Sequence, residues 1–405
     1  MDNKAKDKRP KLDTIARIIQ IITGLSIIAG IIIGIIGLVN THEQAKLALR
    51  AMKMSSLQYI NQLIDNDTNV RIKVGKFVKD LESGAIPNPK ALFEKYSTGE
   101  GVYLSPELSD FRDIFRHYEE MGAKVKLRYI DSDLIFEIIP FPDNFWDITN
   151  ELRCRIQYNW YGIGRELKDF GSNFLYLKKF YDSKRGQTSF PYANLLPIID
   201  KDFKNSSQIL LVVANNNSYN AKVFGIERQQ EKWLPVFGPM AAFIGENGLA
   251  TPEEKKEGDN KTPTGVYSLK RTFGYSPKIE SKMPYIQVTD EDIWISDSKS
   301  DDYNKLVKKN KTNMTIFENM KRDDNLYEYG IVIEYNTEKI EKGKGSGIFF
   351  HVWGWPCTTT GCVALEEGNI LKILEWLDPA KKPLVIIGSE VTLESILRNY
   401  TKNNN

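Results

Sequence analysis

The sequence predicts an α+β protein with a single N-terminal transmembrane helix, a helical middle domain and a mostly β C-terminal domain. Three observations carry this prediction. A long uncharged run lies near the N-terminus, apolar residues then recur at helical spacing to about residue 183, and short β-branched runs follow from Gln208 onwards. With 405 residues and 41% apolar side chains, the chain can build at least two cores.

Residues 18–39 form the predicted transmembrane helix. This run carries no charge and, as a helix, is long enough to cross roughly 30 Å of hydrocarbon. A cleaved signal peptide is less favoured, because the apolar run is long and no small-x-small cleavage site follows it. Lysine and arginine are more frequent in the basic tail of residues 1–17 than after the span, which predicts a cytoplasmic N-terminus and an extracytoplasmic remainder.

A stripe of small residues lies within the predicted span. Ser26, Gly30 and Gly34 recur every four residues, and such a stripe lets two helices approach closely as a homodimer. Glycine is common in membrane helices anyway, so simple tolerance of these residues is the favoured interpretation.

Residues 40–190 are predicted to be a mainly helical domain of unknown function. Helical periodicity runs over about 41–83, 106–121, 143–160 and 165–183, and the stretch 125–142 is expected to be extended. His117 and Cys154 lie in this region without a partner pattern, so each is interpreted as a packed side chain. The aromatic residues of this domain are expected to fill a core between helices.

Residues 205–390 are predicted to form the mostly β domain, followed by a polar tail at 391–405. A run of Gly, Pro and Ser just before it marks the boundary. One helix is expected over 366–377, because its apolar residues share one face. Strands are expected at 208–214, 219–226, 233–236, 265–269, 330–335, 347–352 and 383–387, with an asparagine turn at 215–217.

Charge and cysteine content exclude several classes of protein. The 55 basic and 53 acidic residues nearly balance, so no overall field attracts nucleic acid and no such partner is expected. The histidines and cysteines lack the paired spacings of zinc sites, and neither a metal nor a cofactor is predicted. The chain has three cysteines, Cys154, Cys357 and Cys362. So few cysteines are not typical of a scaffold held by disulfides, and their odd number leaves at least one thiol free or paired between chains.

The segment from His351 to Cys362 carries the predicted chemistry. A strand delivers His351, the one histidine of this domain, and a loop rich in Gly, Pro and Thr returns Cys362. Thiol catalysis needs a thiolate, and an imidazole within hydrogen-bond reach lowers the thiol pKa and later protonates the leaving amine. Gly361 lets the backbone turn sharply, so the amides of Gly361 and Cys362 can face a developing oxyanion. The dipole of the following helix can add to their field, and the pattern predicts cysteine acyl transfer.

Further motifs give this domain a family resemblance. Residues 207–389 resemble the L,D-transpeptidase catalytic domain, the YkuD-like fold. The motifs, in order, are 208–214, Gly245-Glu-Asn-Gly-Leu249, Glu257-Gly-Asp-Asn-Lys-Thr-Pro-Thr-Gly-Val-Tyr-Ser-Leu269, Phe273-Gly-Tyr275, 327–336 and Thr360-Gly-Cys-Val-Ala-Leu365. The resemblance implies that Cys362 is the nucleophile and His351 its base. It also implies that the substrate is the tetrapeptide stem of bacterial peptidoglycan, cut between its third, diamino-acid residue and D-alanine. The acyl group is implied to be held as a thioester on Cys362 and passed to an amine.

Two departures from the family pattern stand near the cysteine. Many members have a histidine two positions before it and an arginine or asparagine soon after it, where this chain has Thr360 and Ala364. The absent groups are implied to hold a substrate carboxylate, which makes Thr360 a candidate substrate contact and the donor or acceptor a divergent one. Cys357 is interpreted as a bystander in the loop, with reversible oxidation of Cys362 by Cys357 as the alternative.

Three functions remain open from the sequence. The leading one is a membrane-anchored L,D-transpeptidase that remodels peptidoglycan. An L,D-carboxypeptidase or cross-link hydrolase would use the same scaffold with water in place of the amine. The third is a non-catalytic wall-binding or signalling module, and the intact His351 and Cys362 count against it.

Overall fold

The computed structural model describes most of the chain beyond residue 64. The described residues are 65–129, 145–146, 148–159, 170–185, 190–214, 218–313 and 315–404, with the single residues 41, 44, 46, 47, 62 and 136. The predicted tail 1–17, transmembrane segment 18–39 and turn 215–217 lie outside them. Among the described helices, none combines the length and apolar character that crossing a membrane requires. The chain divides into two compact units, Met1–Arg71 and Ile72–Asn405, and the second carries the features below.

The second unit contains a helical module, α1 to α5. Asn88 and Thr98 start α1 and α2, because the side chain of each accepts a hydrogen bond from a backbone N–H of the first turn. The apolar face of α3 packs against α5, and a Cβ at Gly122 would lie 1.8 Å from Asn173 O, so only glycine allows this approach. The helices are α1 Pro89–Tyr96, α2 Gly99–Leu104, α3 Ser109–Lys126, α4 Asn150–Tyr158 and α5 Ser172–Arg185.

Most of the helical predictions are confirmed. The stretches 106–121 and 165–183 correspond to α3 and α5, 143–160 contains α4, and residues 65–82 are helical within the predicted 41–83. The stretch expected to be extended, 125–142, lies largely outside the described residues, and its first two residues are still helical in α3.

Helix α6, Leu196–Asp202, leads into the β domain, whose strands lie close to the predicted ones. The predicted helix at 366–377 is α7, Glu367–Trp376. The strands are β1 Gln208–Ala214, β2 Asn220–Gln229, β3 Lys232–Phe243, β4 Leu249–Ala250, β5 Thr262–Pro263, β6 Gly265–Gly274, β7 Tyr285–Gln287, β8 Asp292–Ile295, β9 Leu306–Lys308, β10 Phe317–Asn319, β11 Tyr329–Ile333, β12 Phe349–Val352, β13 Val363–Leu365 and β14 Leu384–Ser389.

The main sheet closes on itself. Its strands follow the order β11-β12-β13-β3-β2-β1-β14-β6-β7, and β11 also pairs with β6. All strands of this order except β7 therefore form a ring, which leaves the ring without a free edge. A smaller sheet of order β10-β8-β9 and the pair β4-β5 accompany it.

Strands β12 and β13 place the predicted catalytic residues on one face. They pair in parallel with Phe350 opposite Val363, and both of these residues belong to the apolar core on one side. Phe349 and Cys362 belong to a second apolar cluster on the other side. Because alternate residues of a strand face opposite sides, His351 lies on the same side as Cys362.

Two helices of this domain bear on the expectations from sequence. The predicted polar tail 391–405 contains helix α8, Leu393–Asn404, and its Leu393 is buried in an apolar core. Helix α7 begins at Glu367, after strand β13, whereas Cys362 lies before that strand. The helix packs into the apolar core on the face of the sheet opposite to Cys362. A strand rises about 3.3 Å per residue, so the first turn of α7 is too distant for its dipole to act on the thiol.

Candidate active site

Cys362 lines a cleft of about 670 Å³ beside the small sheet. Thr360 is exposed at the same cleft, so its predicted role as a substrate contact remains open as a prediction. The part of the chain that the structure describes contains no group of three His, Cys, Asp or Glu side chains able to hold a metal ion. Charged residues of both signs line the cleft, namely Lys255, Glu257, Glu318, Lys321, Arg322, Asp323 and Asp324.

Hydrogen bonds fix the position of Cys362 on both sides of its Cα. The thiol donates to Gly347 O at 3.3 Å, and Sγ accepts from Phe349 N at 3.4 Å. The carbonyl oxygen accepts from the hydroxyls of Thr359 and Thr262, at 2.8 and 3.2 Å. Thr262 belongs to the family motif at residues 257–269. Its hydroxyl holds the backbone of the predicted nucleophile.

Gly361 is required by the turn that delivers Cys362. Its φ is +142°, and a Cβ there would lie 3.0 Å from Lys261 O. Its N–H already donates to Thr359 Oγ1 at 3.1 Å, so the expectation that this amide is free to face an oxyanion is not met. The N–H of Cys362 has no hydrogen-bond partner among the described residues. The geometry therefore favours the Cys362 amide as the oxyanion donor.

The backbone sets the tautomer of His351. Nδ1 lies 2.7 Å from Val352 O, and because a carbonyl oxygen only accepts, Nδ1 carries the proton. The lone pair is therefore on Nε2, as a general base requires. The ring is buried and packs edge to face against Tyr327, with 5.2 Å between ring centroids.

His351 and Cys362 each lie near Tyr327, on the same side of the sheet. Tyr327 contacts the imidazole and belongs to the same apolar cluster as Cys362. The sequence led us to expect a hydrogen bond between Cys362 Sγ and the His351 imidazole. The hydrogen bonds of the described residues do not include it. Both groups instead bond to neighbouring backbone, because burial leaves each of them needing a local partner.

Comparison with protein families identifies the domain that holds this pair. Residues 208–387 match the family model YkuD, the L,D-transpeptidase catalytic domain. This match confirms the resemblance and covers less than half of the 405-residue chain. At the family level, this match supports a peptidoglycan-modifying activity of the transpeptidase type. Searches among curated proteins and among solved structures gave no match to the chain.

Burial keeps both site residues of the YkuD domain uncharged. It raises the pKa of Cys362 to about 12, with Glu318 adding to the rise and the Phe349 N–H opposing it. It lowers the pKa of His351 to about 4. The expectation that the imidazole lowers the thiol pKa is therefore not met in the resting site. The resting pair is a thiol and a neutral imidazole, and the sulfur must lose its proton as it attacks.

We expect alkylation of Cys362 by iodoacetamide to be slow at neutral pH and to accelerate with pH. With a thiol pKa of about 12, the thiolate fraction and the alkylation rate rise about tenfold per pH unit from pH 7 to 10. Mass spectrometry of the alkylated protein measures this rate, with free cysteine as the control. A rate that levels off near pH 8.5 would contradict the raised pKa.

A disulfide ties the helical module to the loop between His351 and Cys362. Cys154 of α4 is bonded to Cys357, and Cys362 is the free cysteine. Both interpretations of Cys357, as a bystander and as a partner of Cys362, are therefore wrong, and Cys154 is more than a packed side chain. Spacing could not reveal this pair, because 203 residues separate its members. The bonded cysteines pack with Trp353 in one apolar cluster.

Polar and aromatic contacts also join the module to the YkuD domain. Arg155 of α4 lies 2.8 Å from Glu151, and both contact the hydroxyl of Tyr219 in the YkuD domain. Phe93 of α1 packs against Trp355 of the loop, with 5.6 Å between ring centroids. The helical module thus braces the segment that connects the two predicted catalytic residues.

Sequence reasoning missed Glu318 and Arg322, which line the cleft, and Tyr327, which contacts both of them. Tyr327 donates a hydrogen bond to Glu318 at 2.5 Å, and Arg322 lies 3.4 Å from the same carboxylate. Arg322 also pairs with Asp324. Tyr327 stood inside a stretch that resembled the family, but no spacing in the sequence links it to Glu318. The two meet because the small sheet folds beside β11.

Proposed function

We propose that this protein is a membrane-anchored L,D-transpeptidase that acts on peptidoglycan stem peptides through a thioester on Cys362. One observation carries the proposal. In a YkuD domain, Cys362 lines an open cleft with its own N–H unpaired among the described residues, and His351 lies on the same face of the sheet. These are the nucleophile, oxyanion donor and base that cysteine acyl transfer needs.

The neutral resting pair defines the order of proton movements. Sγ attacks the carbonyl carbon of the stem peptide while its proton passes to Nε2 of His351. The Cys362 N–H stabilises the oxyanion of the tetrahedral intermediate. The imidazolium then protonates the departing amine of D-alanine, the C–N bond breaks and the thioester remains. Because Nδ1–H keeps its hydrogen bond to Val352 O throughout, the ring keeps its orientation.

We place the catalytic domain outside the cytoplasmic membrane on the basis of the N-terminal sequence, which lies outside the described residues, and of one disulfide. The apolar segment 18–39 and the basic tail before it favour an anchor with the catalytic domain outside the cytoplasmic membrane. The Cys154–Cys357 disulfide supports this location, because disulfides persist in oxidising compartments. Pairing of two chains through Ser26, Gly30 and Gly34 is a separate prediction.

Incubation of the purified full-length protein, in detergent, with monomeric muropeptides tests transfer against hydrolysis. We expect new cross-linked dimers together with released D-alanine, and neither product from the Cys362→Ala variant. Chromatography with mass spectrometry separates the products. Trimmed monomers without dimers would contradict the transferase and favour the L,D-carboxypeptidase alternative. Activity retained by Cys362→Ala would refute both, and the absence of any product from wild type would favour a non-catalytic module.

A further inference from the structure

The cleft holds a carboxyl group that acylation of Cys362 does not use. Glu318 lies on β10, at the edge of the small sheet, and lines the cleft with Cys362. Its side chain is 32% exposed, so it is accessible from the cleft yet held by neighbours. A transferase has a second substrate, the amine, and this carboxyl group lines the cleft that opens on Cys362.

The two oxygens of Glu318 have different surroundings. Oε1 accepts the Tyr327 hydroxyl and lies near Arg322. Oε2 has no hydrogen-bond partner in the described part of the chain, and a Cβ built on Gly347 would lie 3.6 Å from it. The carbonyl of Gly347 accepts the Cys362 thiol at 3.3 Å. The unpaired oxygen of Glu318 and the nucleophilic sulfur therefore flank the same residue.

The groups around Glu318 act on its pKa in opposite directions. Burial raises the pKa of Glu318, and the nearby Asp324 and Glu257 raise it further. The hydrogen bond from Tyr327 and the charge of Arg322 lower it. Glu318 is also the charged group with the largest effect on the pKa of Cys362. The other ionisable residues that line the cleft are Lys255, Lys321 and Asp323.

We propose that Glu318 binds the acceptor ammonium and takes one of its protons before the amine attacks the Cys362 thioester. This inference rests on the proposed transpeptidase function and adds a residue for the second half-reaction. A carboxylate attracts an ammonium group and can accept its proton, whereas an amine that stays protonated has no lone pair for attack. His351 then remains available to return a proton to the sulfur of Cys362.

The protons and electrons of this step balance. The acceptor ammonium gives one proton to Oε2 of Glu318, and the nitrogen lone pair forms a bond to the thioester carbonyl carbon. When the tetrahedral intermediate collapses, the C–S bond breaks and its electron pair stays on Sγ. The remaining surplus N–H proton passes through His351 to the sulfur and restores the thiol. Glu318 returns its proton to solvent.

The Glu318→Gln variant tests this role with two acceptors. The acyl-enzyme is formed with a stem tetrapeptide ending in D-alanine, and it is then offered either a stem tripeptide, whose amine is protonated at neutral pH, or hydroxylamine, which is uncharged. We expect transfer to the tripeptide to fall about 10²-fold and transfer to hydroxylamine to change less than about threefold. Glutamine keeps an acceptor oxygen for Tyr327, so the cleft retains its packing. Equal losses with both acceptors, or no loss with either, would overturn the proposal.

Two further variants separate titration of Glu318 from damage to the cleft. Tyr327→Phe removes a hydrogen bond that lowers the pKa of Glu318, so the rise of tripeptide transfer with pH should move to higher pH. Asp323→Asn removes an exposed carboxylate of the same cleft and should leave the profile in place. An unshifted profile in Tyr327→Phe would contradict the inference. Failure of wild type to form an acyl-enzyme would instead refute the proposed function and the inference with it.

Discussion

Replacing His351 with Asn should slow acylation of Cys362 about 10²- to 10⁴-fold, the contribution of a positioned general base. Asparagine retains a donor where Nδ1–H meets Val352 O at 2.7 Å, but it offers no base where Nε2 stands. Because burial raises the pKa of Cys362 to about 12, the thiol cannot supply a thiolate without that base. Single-turnover acylation by a stem tetrapeptide, followed by intact-protein mass spectrometry, measures the effect.

The pH dependence of the wild type provides the control for this result. The pKa of His351 is lowered to about 4, so its base form persists at neutral and mildly acidic pH. Acylation should therefore hold steady down to about pH 5 and decline below it, as the imidazole gains a proton. Thermal unfolding shows whether the variant keeps its fold. A folded His351→Asn protein that is acylated within about threefold of wild type would show that another group is the base.

Loss of the Cys154–Cys357 disulfide should destabilise the unit Ile72–Asn405 by about 2 to 5 kcal/mol. The disulfide closes a long loop of chain and so restricts the unfolded state, and it anchors the segment between His351 and Cys362 to α4. The double variant Cys154→Ala/Cys357→Ala removes both thiols from an apolar cluster without leaving a free one. Denaturant unfolding measures the change in free energy, and a shift in midpoint with constant slope identifies it.

Thiol titration checks the premise of that comparison. In denaturant without reductant, the wild type should expose a single reactive thiol, that of Cys362, and the double variant should expose the same number. Three thiols in the oxidised wild type, or an unchanged unfolding midpoint in the double variant, would argue against the disulfide as a stabilising tie.

The strands of the YkuD domain were predictable because their patterns are local. Alternation and β-branched runs located β1, β6 and β12, and the motif order added the family. Helix α8 was missed, since its exposed polar residues hid the few apolar ones that it buries, among them Leu393. The closed order of the sheet was beyond prediction, because it depends on β6 pairing with β11 across a long stretch of chain.

The site was predictable only where its residues are near in sequence. His351 stands on β12 and Cys362 directly precedes the adjacent parallel strand β13, so a short motif contained both. Their electrostatics were not predictable, because the pKa of each depends on burial that only the folded domain creates. Glu318 and Cys154 come from the small sheet and the helical module, and no local pattern links either one to the cleft or its loop.

The mass of the intact protein after mixing with a stem tetrapeptide ending in D-alanine tests the central claim most directly. The account predicts an adduct equal to the tetrapeptide minus D-alanine, located on Cys362 by peptide mapping, with an equal amount of D-alanine released. The Cys362→Ala protein should gain no mass and release no D-alanine. An adduct on any other residue, or D-alanine release that survives in Cys362→Ala, would contradict it.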